Sequence, residues 1–185
     1  MENIEVLRKF FKAFIKKDVE NMLECYHKKV VFIDPVFGRL EANETAKMWR
    51  MLFHKNQGDL QISYKDLTAD EMQGSAKWRA VYKFGHKRRK VINKIVSNFK
   101  FEDNKIIEQH DDFDLWLWSK QAFGWKGWLF GWSADFKSRL QERSKTMLDK
   151  YIQKDNNKLE EASWVKLSSS IFMNIITNGV DGGYT

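Results

Sequence analysis

Apolar residues in the first part of the chain recur every three or four positions, and from about residue 60 they alternate. Ile4, Leu7, Phe11, Phe14 and Ile15 predict a first helix, with Asn3 as its N-cap and Phe10 widening the buried stripe. Asp18 predicts the cap of a second helix running from Val19 to about Tyr26, with Val19, Met22, Leu23 and Tyr26 inward. Val30, Val31, Phe32 and Ile33 read as a short strand ending at Asp34, just before Pro35, with Gly38 beyond. A third helix starts near Asn43, carries Thr45, Trp49, Leu52 and Phe53 on one face, and ends near Gly58. Residues 60–67, 75–85, 91–101 and 105–115 then predict four strands, separated by turn signals at Gly74, at Gly85–Lys90 and at Asp103–Asn104. Period-two alternation gives each strand one covered face, so the sheet is expected to be antiparallel and curved over a core, in an α+β domain.

After Asp114 the pattern turns aromatic, with Trp116, Trp118, Trp125, Trp128, Phe130 and Trp132 broken by Gly124, Gly127 and Gly131. Ser133 predicts the cap of a last helix bearing Phe136, Leu140, Met147 and Tyr151. The domain is expected to span residues 1–152, with 115–152 a helical addition. Residues 153–185 are expected to form a separate extension, partly helical (weakly so around Leu167–Ile176) or disordered.

Composition narrows the function classes. Of 185 residues, 43% are apolar and 15% aromatic, eight of them Trp, which affords a real core and an aromatic cavity or interface. Cys25 is the single cysteine, so an intramolecular disulfide and a cysteine-built metal site are both excluded. The start MENIEV lacks the basic and apolar parts of a secretory signal, and no apolar run approaches the ~18 residues of a membrane span. A cytoplasmic setting is therefore expected. The net charge of +7 is spread thinly apart from His86–Lys90. That cluster is read as the soluble tip of a hairpin rather than a nucleic-acid contact.

The segments CYHKKVVFIDPVFG and IIEQHDDFDLW, in this order of elements, resemble the nuclear transport factor 2-like, or SnoaL-like, superfamily over residues 3–118. WSKQAFGWKGWLFGWS is similar to bacterial members with a small helical addition. The resemblance implies a cone, a curved sheet wrapped around the first helix with an apolar cavity open at one end, and a homodimer. Members include ketosteroid isomerases, limonene epoxide hydrolases, polyketide cyclases and non-catalytic proteins, so fold alone decides little.

Against the ketosteroid isomerase pattern of an Asp base with Tyr and protonated Asp donors, Asp34 falls on the base. Phe10 stands where the Tyr would be, and Ser97 where the Asp would be. Losing a donor of this kind costs about 10²–10³ in rate. The Arg-x-Asp arrangement of the epoxide hydrolases is also absent, Lys94, Ile95 and Val96 standing in its place. The same comparison turns Trp78, Ala80, Tyr82, Phe84, Asn93, Ile95, Ser97, Ile107, Gln109, Asp111 and Phe113 toward the cavity, with Phe10, Phe14 and Trp49 as helix-borne walls.

Asp34 has two readings: a turn former bonded to local amides, or a carboxylate at the rim of the cavity. In the second, Asp34 and Asp111 share one pocket, and desolvation and repulsion raise at least one pKa toward that of a usable base. His110, Asp112 and Asp114 share the other face of the last strand and read as a solvated or dimer-facing surface rather than metal ligands. No metal and no cofactor are expected, and His27, His54 and His86 read as structural or exposed. The Trp/Gly run is expected to close the mouth of the cone as a lid or to pack at a subunit contact, membrane insertion being the lesser alternative. The expected function is binding of a small hydrophobic ligand without intact isomerase machinery. The alternative is an isomerase, cyclase or hydrolase with Asp34 as general base.

Overall fold

The structure, a computed structural model, describes residues 2–55 and 58–178, with Lys55 and residues 158–178 described by backbone alone. It divides into two compact units, Met1–Leu148 and Asp149–Thr185.

In the first unit, α1 (Asn3–Lys16) buries Val6, Leu7, Phe10, Phe11, Ala13 and Phe14. Its N-cap position is Glu2, without a side-chain cap bond. Asn3 is not the cap: its amide donates to the carbonyls of Asp70 and Glu71, 2.9 Å each, pinning the helix start to a turn of the sheet. Lys17 takes a left-handed conformation, and Asp18 caps α2 (Val19–Leu23) by accepting from the Asn21 amide.

α2 is shorter than its periodicity suggests, because Tyr26 already belongs to β1 (Tyr26–Asp34). The polar run His27–Lys29 hides the first half of that strand from a hydrophobicity reading. β2 (Gly38–Leu40) closes a tight hairpin on it, with Asp34 opposite Gly38. Next come α3 (Ala42–Lys55), β3 (Gln61–Ala69), β4 (Gln73–Phe84), β5 (Arg89–Glu102) and β6 (Lys105–Asp112).

The six strands form one curved, unclosed sheet in the order β2-β1-β6-β5-β4-β3. It is not wholly antiparallel: β1 runs parallel to β6, with Phe32 beside Gln109 and Ile33 beside His110. β5 keeps a clean period of two, burying Val91, Asn93, Ile95, Ser97 and Phe99. In β6 the alternation breaks at a register shift, so Ile106 is fully buried and Ile107, expected to face inward, is only half-buried.

The core lies between α1, α3 and the concave sheet face. Phe14 meets Trp49, Phe53 and Trp78 with centroids 5.1–5.6 Å apart, in edge-to-face arrangements. Phe10 packs the same way against Phe11, Tyr26 and Phe99. Each such ring contributes about 1.5–3 kcal/mol by burial.

A second apolar cluster sits at the other end of the sheet. Trp118 and Ala122 of α4 (Leu115–Phe123) pack on Val91 of β5, joined by Val36, Tyr82, Phe113 and, from α6 (Ala134–Asn178), Leu140. Between α4 and α6 lies the short α5 (Trp125–Phe130). Ser133 caps α6 by accepting from the Phe136 amide, and Gln141 of α6 donates to the Pro35 carbonyl at 3.2 Å.

In the second unit the backbone is helical as far as Asn178, so the weak helix expected near Leu167–Ile176 is part of a longer one. The glycine-rich end lies outside the described residues. Among the described residues no helix is long and apolar enough to cross a membrane.

Candidate functional site

Asp34 ends β1 and opens the turn into β2. Its Oδ1 accepts from the amides of Val36 at 3.0 Å and Phe37 at 2.5 Å. This is the turn-forming role. The residue is nevertheless half-buried, and burial pushes its carboxyl up to about 7, against the pull of the Phe37, Val36 and Gly38 amides and with help from the charge of Asp111. The two readings of the sequence describe one residue: the turn amides orient the carboxylate, and the packed surroundings keep it reluctant to ionise.

Asp111 follows from the parallel pairing. Because Ile33 lies beside His110, the next residues along each strand are the two carboxylates. Asp111 is buried and faces Ser97 across the β5–β6 ladder. Its Oδ1 accepts from the Ser97 hydroxyl at 2.5 Å and from the Gln109 amide at 2.9 Å.

Each of those donors is itself oriented. Ser97 accepts the Trp78 indole N–H at 2.7 Å. The Gln109 carbonyl accepts from the Tyr26 hydroxyl at 2.5 Å, and Tyr26 accepts from the Trp49 indole at 3.0 Å. Every hydrogen in this chain points toward Asp111 Oδ1, an arrangement that favours the carboxylate. Burial raises the Asp111 carboxyl to about 6, with Ser97 and Gln109 opposing.

Tyr82, on β4, has its hydroxyl oxygen occupied by the Trp118 indole N–H at 2.7 Å. Burial pushes its pKa up to about 12, and the charge of Asp34 adds to the shift, which puts the phenol within electrostatic reach of the carboxylate. A neutral phenol that accepts from an indole retains its own proton for donation.

Of the other expected site residues, Trp78, Asn93, Ser97 and Gln109 are buried on the concave face, and Phe113 is partly buried beside Trp118. Phe10, Phe14 and Trp49 are locked in the aromatic core. A concavity of about 370 Å³ opens elsewhere, among Thr68, Asp70, Gln73 and Asn98.

In the Trp/Gly run Trp125, Trp128, Phe130 and Trp132 are exposed, while Trp118, Ala122 and Phe123, just ahead of it, pack with Val91 and Tyr82. His110 and Asp112 are exposed, and Asp114 caps α4 by accepting from the Leu117 amide at 2.8 Å. Among the described residues, the grouping able to hold a metal ion is His27, Glu102 and Asp103, at the opposite end of β1 from Asp34. Buried Cys25, its thiol raised by burial to about 11, is poorly suited to nucleophilic chemistry.

Tyr26, Trp118 and Gln141 were not legible as site residues. Tyr26 read as an apolar helix position, and the other two act only through contacts that the fold creates.

Residues 7–109 match the family model described as a SnoaL-like domain. The chain belongs to the SnoaL-like family. Among solved structures, this SnoaL-like domain is similar to a putative polyketide cyclase from Pseudomonas putida KT2440 (14% identity, TM-score 0.55, 66% of this chain and 98% of that one). It is also similar to an LEH-like epoxide hydrolase of Mycobacterium tuberculosis (21%, 0.51, 70% and 90%). A third is TerC, crystallised with polyporic acid (16%, 0.53, 60% and 91%). At these identities the likeness shows the cone fold of the nuclear transport factor 2-like superfamily and nothing finer. No curated protein matches the sequence.

Proposed function

We propose that this SnoaL-like domain is an acid–base enzyme acting on a small apolar molecule, with Asp34 as the proton acceptor. The observation that carries the reading is Asp34 itself, a carboxylate fixed by turn amides and raised by burial to about 7, where it is half-ionised at neutral pH.

Tyr82 completes the scheme: it keeps an O–H while its oxygen is held by Trp118. Ser97 does not replace the missing acid directly; it positions Asp111 from the neighbouring strand. Asp34 takes a proton from the substrate, and Tyr82 stabilises the negative charge left behind. Trp78 and Phe113 supply apolar walls.

A second reading, a binding module without turnover, is favoured by the Trp118–Tyr82 contact, which covers the site with the chain's own side chains.

Native mass spectrometry of the protein as purified identifies a trapped occupant. Proton exchange from that molecule, or from a series of small apolar ketones, is then followed in heavy water. The wild type is expected to exceed Asp34→Asn by about 10²–10⁴ in exchange rate. Equal rates with an occupant bound favour the module.

A further inference from the structure

The outer face of the helices after β6 is built differently from the face that covers the site. Gly127 and Gly131 lie four positions apart and both meet Ser119 of α4. A Cβ on Gly127 would stand 1.9 Å from the Ser119 carbonyl oxygen, and one on Gly131 would stand 1.8 Å from its hydroxyl. Ser119 is fully buried, its hydroxyl 2.9 Å from the Trp116 carbonyl and 3.0 Å from that of Gly127. The glycines hold α5 against α4, and the large residues between and around them point away. Trp125 is 68% exposed and Trp132 74%, with Trp128, Leu129 and Phe130 also exposed. An apolar patch of this kind on a folded domain marks a contact surface.

Its surroundings indicate the partner. α4 and α5 carry two charged side chains, both basic, Lys120 and Lys126. The Lys120 ammonium lies 3.7 Å from the centre of the Trp116 ring, so charge and aromatic surface are interleaved. The Trp116 and Trp132 indole N–H groups already donate to the carbonyls of Trp128 and Leu129, so these rings carry no unsatisfied donor into an apolar layer. A second copy presenting the same patch would set these basic groups against one another. Anionic headgroups above an apolar layer satisfy both features at once.

We propose that the α4–α5 patch docks the domain on a lipid surface bearing anionic headgroups, without crossing it. Insofar as it rests on the reading of the Asp34 site as one for apolar molecules, docking brings the plug formed by Trp118 next to the phase in which such a substrate dissolves.

The test is co-sedimentation of the full chain with phosphatidylcholine vesicles, with and without phosphatidylglycerol, at low and high salt. The wild type is expected to pellet with the anionic vesicles and to lose binding as salt rises. The triple variant Trp125→Ser, Trp128→Ser, Trp132→Ser changes only exposed side chains. It is expected to keep the wild-type melting temperature and to bind at least about tenfold more weakly. Lys120→Glu with Lys126→Glu is expected to remove the preference for anionic vesicles. Asp34→Asn should bind vesicles as the wild type does, which separates this surface from the catalytic reading. The proposal is overturned if the wild type stays in the supernatant with both vesicle types, if the triple variant pellets equally well, or if that variant instead turns a dimer into a monomer.

Discussion

The hydroxyl of Ser97 lies 2.5 Å from the carboxylate of Asp111, across two neighbouring strands, and accepts the indole N–H of Trp78 at 2.7 Å. One serine thus transmits a fixed donor direction to the buried acid. Ser97→Ala leaves the Trp78 N–H and one bond of Asp111 unsatisfied, so a loss of about 1–3 kcal/mol is expected in urea unfolding. The same change removes a group that holds the Asp111 pKa down, so Asp111 should titrate above its present value of about 6. An unchanged titration would remove Ser97 from the network.

Tyr26→Phe tests the other arm of that network. It deletes the donor to Gln109 and the acceptor of Trp49 while keeping the ring packed against Phe10. The cost should again be about 1–3 kcal/mol, and Gln109 should lose its fixed side-chain orientation in amide NMR spectra.

Stability should fall as pH rises through the mildly acidic range. Asp34 and Asp111 have folded pKa values of about 7 and about 6, above their ordinary 3.8. Groups raised on folding contribute fully below the unfolded pKa, and the contribution is lost as pH climbs toward the folded value. Urea midpoints should therefore decline between pH 3.8 and about 7, and Asp34→Asn should remove the upper part of that decline. Below 3.8 the sign reverses, because turn bonds hold Asp18 and Asp70 below their ordinary values.

Trp118→Phe separates covering from hydrogen bonding. The ring stays among Phe84 and Phe123, with centroids now 5.4 and 5.8 Å away, but Tyr82 loses its indole donor. A modest cost of about 1 kcal/mol is expected. Trp118→Ala, which empties the cluster, should cost about 3–5 kcal/mol and increase uptake of an environment-sensitive apolar dye.

Much of the fold was legible because period is a local property. The four long strands, the first helix and the caps at Asp18 and Ser133 follow from spacing and side-chain chemistry alone. β2 was not legible, since three residues carry no period, and neither was the first half of β1, where His27, Lys28 and Lys29 mask a strand. The parallel β1–β6 pairing that sets Asp34 beside Asp111 is a tertiary fact, foreshadowed only by family resemblance. The outward direction of the aromatic run was not legible, because counting indoles does not say which way they point. Gly127 and Gly131 decide that, by needing Ser119 at closer range than any side chain allows.

The central claim is that Asp34 is a proton acceptor poised near neutrality. Its most direct test is the carboxyl carbon chemical shift of Asp34, followed by NMR across the pH range and assigned by comparison with Asp34→Asn. A midpoint of about 7 is predicted. A midpoint near the ordinary 3.8 would contradict the account and leave Asp34 as a turn residue only.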